Sequence, residues 1–218
     1  MNHEEIYESC REAREELAYF MRRLYERGLT TCSGGNLSAR VGEAHVIVTP
    51  SALDKGRIIG DQVGLITMDG ENRTPHLKAS IETGMHLAAY RARPDIRAIV
   101  HAHPVTATSF AARPGGIDTT LTAEAYTVLG RPAVAPYALM GTRDLADRVA
   151  ERLAVADVVI LENHGILTVG PSLLSAFDRL EVLEAAAKMS LYTALLGGAV
   201  PLTPERLSEL DAWKAARK

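Results

Sequence analysis

Two histidines separated by one residue follow an apolar run in the middle of the chain. His101 and His103 come at the end of residues 96–100, and Pro104 follows them directly. A short apolar run of this kind predicts a buried β-strand, and side chains two residues apart on a strand point the same way. Since neutral imidazole is the commonest protein ligand of zinc-like ions, the pair could bind one metal ion. A single histidine hydrogen-bonded to backbone would give the same pattern, and a metal needs further ligands.

A third histidine lies in the same kind of setting. His164 follows a second apolar run, residues 155–161, within the sequence Glu-Asn-His-Gly. A carboxylate is also available, because Glu82 lies four residues before His86 on a predicted helix and near the edge of its apolar stripe. An exposed surface glutamate is the default interpretation of such a residue, so its position alone leaves its role open.

Two loops and one serine offer hydrogen-bond donors that could bind an anion. Residues 30–38 form a small polar loop that contains Gly35 and Asn36, and Ser51 ends a Thr-Pro-Ser turn. Ser80 lies near the start of a predicted helix, where the helix dipole favours an anion. Glycine-bearing loops can present backbone N–H groups to an anion, although a plain turn between a helix and a strand is commoner.

The basic residues give no obvious partner for a bound anion. Residues 54–57 form a charged turn that we expect to be solvated. Lys55 and Lys78 precede Lys188, and neither has a clearly apolar sequence setting, so a Schiff-base lysine finds little support. We therefore expect neutral donors to hold any anion.

Hydrophobic periodicity predicts the elements that must position these residues. Helices are predicted over residues 4–27, 76–92, 105–112, from a cap at Thr142, and from Pro171 to a Gly-Gly stop at 197–198. Strands are predicted over residues 37–41, 45–49, 62–68, 96–100, 132–137, 155–161 and 166–169. Residues 120–129 are ambiguous, and the polar tail from residue 200 is expected to hold one amphipathic turn. These elements indicate an α/β fold with a mostly antiparallel central sheet and helices on its faces.

Composition limits the classes of protein that fit. The chain has 218 residues with 47% hydrophobic residues and a net charge of −3, which suits one domain over 1–218 and no nucleic-acid partner. Cys10 and Cys32 have no ligand-like spacing and are expected to be free thiols. The acidic N-terminus does not resemble a targeting peptide, and no apolar run approaches the ~18 residues of a membrane span. We expect a cytoplasmic protein without a membrane partner.

Taken together, the motifs resemble the class II aldolase/adducin family. The likeness runs from about Leu24 to Leu196 and includes Gly-Asn-Leu-Ser at 35–38, Thr-Pro-Ser at 49–51, Glu-x-x-x-His at 82–86, His-Ala-His-Pro at 101–104, Gly-Thr at 141–142 and Glu-Asn-His-Gly at 162–165. The resemblance implies a three-layer α/β/α sandwich around a mostly antiparallel sheet. It also implies a homotetramer with active sites at the subunit interfaces.

The resemblance assigns roles to individual residues. It implies a Zn²⁺ site, with Mn²⁺, Co²⁺ or Fe²⁺ as alternatives, whose ligands are His101, His103, His164 and Glu82. Glu82 would also be the catalytic acid/base. The residues that match phosphate-binding positions are Gly35, Asn36, Ser51 and Ser80. The sequence departs from the family's ketose-phosphate aldolases at Ala52 (a glycine there), Ile81 (a serine) and Thr122 (a tyrosine from the neighbouring subunit), although Tyr126 is close by.

The resemblance and the chemistry together predict a metal-dependent aldolase that cleaves a ketose 1-phosphate to dihydroxyacetone phosphate and an aldehyde. Aldol cleavage leaves a carbanion beside a carbonyl; a Lewis-acidic zinc would stabilise it as an enediolate, and Glu82 would move the proton. A decarboxylase, dehydratase or epimerase of a sugar (acid) phosphate with the same metal-enolate chemistry is an alternative. The family's epimerases carry aspartate where Glu82 stands, which favours the aldolase. A non-catalytic, adducin-like interaction module is a third possibility, against which the intact histidines argue.

Overall fold

Seven strands form one sheet in the computed structural model, which describes residues 3–217. Met1 and Asn2 of the acidic N-terminus, and Lys218 at the end of the tail, lie outside the described residues. The strands are β1 (Asn36–Val41), β2 (His45–Val48), β3 (Gly64–Thr67), β4 (Ala98–Ala102), β5 (Ala133–Ala135), β6 (Val158–Leu161) and β7 (Gly165–Gly170). Their order is β3-β2-β1-β4-β7-β6-β5, and every neighbouring pair is antiparallel except β5 with β6. The predicted, mostly antiparallel sheet is confirmed.

Helices cover both faces of this sheet. They are α1 (His3–Ser9), α2 (Arg11–Glu26), α3 (Thr83–Ala92), α4 (Val105–Ala111), α5 (Ala123–Leu129), α6 (Arg143–Leu153), α7 (Leu173–Leu195) and α8 (Pro204–Ala215). One apolar core lies between the sheet and α2, α4, α5 and α7, and a second lies between the sheet and α3 and α6. Alternate residues of a strand supply the two cores: Val100 of β4 packs in the first and Ile99 in the second. The three-layer α/β/α sandwich is confirmed.

The central strand β4 is buried along its whole length, with β1 on one side and β7 on the other. Because both faces of this strand are covered, its sequence is a continuous apolar run and not an alternating one. The strand ends at Ala102, so His101 belongs to it and His103 lies one residue beyond its end. The neighbouring strands β1 and β7 therefore hold the backbone of His101 in place, and His103 follows directly after this fixed segment.

Two predicted helices differ from the structure. The first is interrupted at Cys10, whose backbone angles φ −91° and ψ 12° separate α1 from α2. The second begins at Thr83 and not at residue 76. Residues 76–82 form turns because their polar groups bond elsewhere: the Lys78 carbonyl accepts from Ser51 N at 2.9 Å and the Leu77 carbonyl accepts from the Asn72 amide at 2.9 Å.

The tail contains more structure than the single predicted turn. Its helix α8 runs for 12 residues, and it begins with Pro204 after the capping residue Thr203. It packs against α5, where Tyr126 Oη donates to Asp211 Oδ2 at 3.0 Å and Lys214 Nζ donates to the Thr127 carbonyl at 2.8 Å. The ambiguous residues before it form a short 3₁₀ turn, Thr119–Leu121, followed by α5.

Several smaller predictions hold. Thr142 caps α6 by accepting a hydrogen bond from Leu145 N at 3.3 Å. Cys10 and Cys32 are free thiols.

None of the helices within residues 3–217 has the length and apolar character needed to cross a membrane.

Candidate active site

Three histidines converge at the end of the central strands. One ligand atom from each of His101, His103 and His164 can be chosen so that all three lie within 4.8 Å of one another. The ring centroids are 4.8 Å apart for His101 and His103, and 4.9 Å for His101 and His164. Residues 63 positions apart in the chain therefore meet because β4 and β7 are neighbours in the sheet, with His101 paired to Leu167.

The third histidine is held by a tight connection between β6 and β7. Leu161 pairs with Gly165, so the connection consists of residues 162–164. Asn163 has a φ of +53°, a left-handed conformation that asparagine tolerates better than most residues, and its N–H donates to the Ala111 carbonyl at 2.9 Å. Gly165 leaves room for a neighbouring ring, since a Cβ there would lie 2.5 Å from His103 Cδ2. The geometry thus accounts for the last three residues of the Glu-Asn-His-Gly motif: Asn163 adopts the left-handed turn, His164 joins the cluster, and Gly165 leaves room for His103.

The hydrogen bonding of His101 suits a metal ligand. Its Nδ1 lies 2.9 Å from the Ile166 carbonyl, which can only accept, so Nδ1 carries the proton. The other ring nitrogen, Nε2, is then a free lone pair; it is buried and has no hydrogen-bond partner among residues 3–217. Buried polar atoms are normally satisfied, and a backbone carbonyl on the far nitrogen is the usual arrangement for a ligating histidine. The residues therefore fit a metal ion.

The second histidine is neutral at physiological pH. The pKa of His103 is lowered to about 4, and burial is the largest cause. The nearby His101 and His164 also lower this pKa, and Glu82 raises it by a smaller amount. A metal binds the neutral imidazole, so it meets little competition from protons at this side chain.

Glu82 lies among the histidines at the start of α3. Its Oε2 is 3.2 Å from His101 Nε2, and its Oε1 is 3.1 Å from His164 Nε2. The Asn36 amide donates to Oε2 at 2.7 Å. Burial works to raise the pKa of Glu82, but His101, His164 and the Asn36 hydrogen bond outweigh it and hold that pKa below its usual range. The side chain is a carboxylate at neutral pH.

His86 does not join this group, although it lies one helical turn after Glu82. It points into the core, where Ser38 Oγ lies 2.6 Å from its Nδ1 and 2.9 Å from Tyr90 Oη. Burial lowers the pKa of His86 to about 3, so the ring is neutral. Within the Glu-x-x-x-His motif, His86 therefore forms a buried polar contact with Ser38 and does not belong to the histidine cluster.

The glycine loop is shaped by its close approach to β4. Gly35 has a φ of +67°, and a Cβ there would lie 2.8 Å from the His101 carbonyl. A side chain is therefore excluded by both conformation and space. The loop places Asn36, the first residue of β1, directly opposite His101 in the sheet, which brings its amide to Glu82.

An open cavity of about 400 Å³ connects the histidines with the two predicted anion-binding loops. Its lining includes His103, His164, Glu82, Gly35, Asn36, Ser51 and Ser80, together with Ser33, Gly34, Pro50, Ala52, Lys55, Ile81, Met140 and Asn163. All four residues predicted to bind phosphate thus line the same space as the histidines. The Asn36 side chain is engaged with Glu82, whereas Ser51 and Ser80 are half-buried at the wall.

Two of the sequence departures lie at the cavity wall. Ala52 has a φ of +60°, a left-handed conformation that is costly for any residue with a Cβ. Ile81 exposes 58% of its surface at the rim, beside Met140 at 54%. Thr122 caps α5 by accepting from Ala125 N at 3.1 Å, and Tyr126 bonds Asp211. Neither Thr122 nor Tyr126 lines the cavity of its own chain.

Lys55 is the functional candidate that the sequence prediction missed. We expected residues 54–57 to be solvated, and for Lys55 this is wrong: it exposes 1% of its surface. Its backbone N–H donates to the Cys32 carbonyl at 2.8 Å, and Nζ donates to the Pro50 carbonyl at 2.5 Å. Burial lowers the pKa of Lys55 to about 8. The sequence gives no local signal for this contact between residues 23 positions apart.

The sandwich fold, the histidine cluster and the glutamate define a class of enzyme. The family model described as the class II aldolase and adducin N-terminal domain matches residues 15–191. The chain belongs to this family, as its motifs predicted. It is a class II aldolase superfamily enzyme, and the histidines could bind the metal on which this family depends.

Individual relatives carry different reactions in their names. The chain is 33% identical over 204 residues to a 3-oxo-tetronate 4-phosphate decarboxylase from Haemophilus influenzae, covering 91% of this chain and 95% of the relative. It is 34% identical over 175 residues to an L-fuculose phosphate aldolase from Methanocaldococcus jannaschii, covering 80% and 93%. A solved L-fuculose 1-phosphate aldolase superposes with a TM-score of 0.84 at 32% identity, covering 91% of this chain and 94% of that one.

Proposed function

We propose that this protein is a metal-dependent aldolase that cleaves a ketose 1-phosphate to dihydroxyacetone phosphate and an aldehyde. The observation that carries the proposal is the free Nε2 of His101 beside His103, His164 and the Glu82 carboxylate, at the wall of an open cavity. The names of the fuculose phosphate aldolases support the substrate class.

The three histidines would hold the metal, with Glu82 as a fourth ligand before substrate enters. A divalent ion, which we propose to be Zn²⁺ with Mn²⁺, Co²⁺ or Fe²⁺ as alternatives, supplies the Lewis acidity that stabilises negative charge on a carbonyl oxygen. Neutral imidazoles leave the ion its full charge, and His103 remains neutral because of its lowered pKa. Burial of His101 and its bond to the Ile166 carbonyl keep the first ligand in one orientation.

Glu82 would move the proton of the reaction. Breaking the carbon–carbon bond leaves an enediolate, and a proton must reach its carbon to give dihydroxyacetone phosphate. Glu82 takes that proton in the condensation direction and returns it in the cleavage direction. The Asn36 amide, 2.7 Å from Oε2, orients the carboxylate. General acid–base catalysis of this kind is worth about 10²–10⁴-fold in rate.

The phosphate would bind at the glycine loop and the two serines. Gly35, Asn36, Ser51 and Ser80 all line the cavity. The Ser51 backbone N–H is already bonded to the Lys78 carbonyl, so its hydroxyl is the group available to a ligand. Ser80 Oγ accepts from Glu82 N at 3.3 Å and can still donate its own proton to an anion.

We further propose a homotetramer with active sites at subunit interfaces. Three exposed side chains in residues 137–140 support an interface beside the cavity: Tyr137 exposes 55% of its surface, Leu139 62% and Met140 54%. Met140 also lines the cavity. A second subunit would cover this apolar surface.

A decarboxylase acting on a 3-oxo sugar acid phosphate is the second candidate. The name of the relative from Haemophilus influenzae favours it. Loss of carbon dioxide from a 3-oxo-tetronate 4-phosphate leaves the same enediolate of dihydroxyacetone phosphate. An aldolase must also remove a proton from the substrate hydroxyl as the aldehyde forms, whereas carbon dioxide leaves without one.

A product assay separates the two candidates. The zinc-loaded enzyme would be incubated with L-fuculose 1-phosphate, ribulose 1-phosphate and 3-oxo-tetronate 4-phosphate, with Glu82→Gln as the inactive control. Both reactions release dihydroxyacetone phosphate, so the second product decides. Release of an aldehyde from a ketose 1-phosphate would support the aldolase. If the enzyme instead turns over only 3-oxo-tetronate 4-phosphate and releases carbon dioxide, it is the decarboxylase.

A further inference from the structure

Lys55 is a buried cation that lacks an anionic partner within the described residues 3–217. It exposes 1% of its surface, and none of the ion pairs formed within residues 3–217 includes it. Lysine is rarely buried without a partner, because an unpaired charge is poorly solvated inside a protein. A buried, unpaired ammonium therefore destabilises the folded protein unless an anion from outside the chain binds beside it.

The position of the ammonium indicates what that partner is. Nζ donates to the carbonyl of Pro50, the residue before Ser51, and the Lys55 backbone is bonded to the Cys32 carbonyl just before the glycine loop. An ammonium has three donors, of which this contact uses one. Lys55 lines the cavity, and no other lysine or arginine in residues 3–217 does so.

We propose that the Lys55 ammonium is the charged partner of the substrate's phosphate, held between the glycine loop of residues 33–36 and the turn of residues 49–52. The assignment rests on the proposed function for the presence of a phosphate, and it adds a specificity-determining cation to a set of neutral donors. Its burial makes the interaction strong, because an ion pair is screened least where water is excluded. The lowered pKa of about 8 agrees with an ammonium that has lost its hydration and gained no counter-charge.

A covalent role for the same lysine makes a different prediction. A lysine with a pKa near 8 could also attack a ketone as a free amine and lose water to form a Schiff base. The Lys55 ammonium is bonded to a carbonyl and lines the same cavity as the donors for an anion, and two of the three clustered histidines, His103 and His164, line that cavity too. These contacts favour the electrostatic role.

The direct test follows Lys55 in the wild-type, zinc-loaded enzyme by NMR of ¹³Cε-labelled lysine. The chain has five lysines, and Lys55→Met identifies the resonance. We expect the Lys55 titration midpoint to rise by at least one pH unit (about a tenfold change in proton affinity) when dihydroxyacetone phosphate saturates the site. Dihydroxyacetone without the phosphate should leave it unchanged. A midpoint that dihydroxyacetone phosphate does not move overturns the proposal.

Kinetics with matched variants provide the second test. Lys55→Met should raise KM for the phosphorylated substrate by about 10- to 100-fold, the range for one charge-assisted hydrogen bond, with kcat and metal content near wild type. Lys55→Arg should recover part of the loss, and Lys78→Met, which changes an exposed lysine, should behave as wild type. A fall in kcat alone, or a borohydride-trapped substrate adduct on Lys55, would overturn the proposal. Because the NMR titration needs no turnover, it can succeed even if the aldolase assignment fails.

Discussion

The histidine cluster (His101, His103, His164) and the proposed anion-binding side of the same cavity are built from different kinds of backbone. In the cluster, His101 belongs to β4, His103 lies one residue beyond it, and His164 lies in the three-residue connection between β6 and β7. The anion-binding side comes from the glycine loop, the turn at 49–52 and the segment before α3, which share few regular hydrogen bonds.

The two regions have different geometric requirements. A metal ion needs ligand atoms at defined distances, and packed strands with a short connection leave those atoms little freedom. A phosphate can be held by many donors in a broad arc, so we expect side chains on that part of the lining, such as Ile81 and Lys55, to change without movement of the histidines. We expect substitutions in the cluster to abolish chemistry, and substitutions on the anion-binding side to change affinity.

Replacing a ligand should have the largest effect. His101→Ala removes the buried lone pair that has no other partner, so we expect metal content and turnover to fall together, with turnover near background. Metal analysis of the purified variant and a product assay measure both. His76→Ala, at an exposed histidine, is the control. A His101→Ala enzyme with full metal and full activity would show that the site is misassigned.

Glu82→Gln should separate metal binding from proton transfer. The variant keeps the side-chain volume but loses the carboxylate, so the three histidines should retain the metal while turnover falls by about 10²–10⁴-fold. Steady-state kinetics on metal-loaded protein measure the loss. Glu162→Gln is the matched control, since Glu162 is exposed and does not line the cavity. Equal losses in both variants would argue against a special role for Glu82.

Lys55→Met should stabilise the folded protein while it weakens substrate binding. Burial lowers the pKa of Lys55 from 10.5 to about 8, so the folded state binds this proton less tightly than the unfolded state does. Wild-type stability should therefore rise with pH between about 8 and 10.5, and the advantage of the variant, on the order of 1–3 kcal/mol below pH 8, should disappear across that window. Denaturant unfolding at pH 7 and pH 10 tests this. A variant that is less stable at pH 7 would indicate a structural role.

Ser51→Ala should have the smallest effect of the four. It removes one neutral donor among several, worth about 0.5–1.5 kcal/mol, so KM for a ketose 1-phosphate should rise about 3- to 10-fold while metal content stays unchanged. Inorganic phosphate should compete with substrate more weakly than in the wild type. If an unphosphorylated ketose turns over as well as any phosphate ester, the phosphate-binding assignment of this side of the cavity fails.

The sequence predicts the parts of this molecule that depend on local periodicity. Apolar runs ending in histidine located β4 and the β6–β7 connection, and the Thr142 cap located α6, because each signal lies within a few residues of the element. Lys55 was missed because its burial comes from a bond to Cys32, far along the chain. The start of α3 was wrong because residues 76–82 bond to Ser51 and Asn72 instead of continuing the helix. The tetramer and the single domain over 1–218 stay predictions.

The central claim, that the histidine cluster and Glu82 handle the enediolate of dihydroxyacetone phosphate, can be measured without knowing the second substrate. Zinc-loaded enzyme would be incubated with dihydroxyacetone phosphate in D₂O, and deuterium at the hydroxymethyl carbon followed by NMR. We predict that the wild-type enzyme exchanges one hydrogen there and that Glu82→Gln does so about 10²–10⁴-fold more slowly. No exchange by the wild-type enzyme, or equally fast exchange by the variant, would contradict this account.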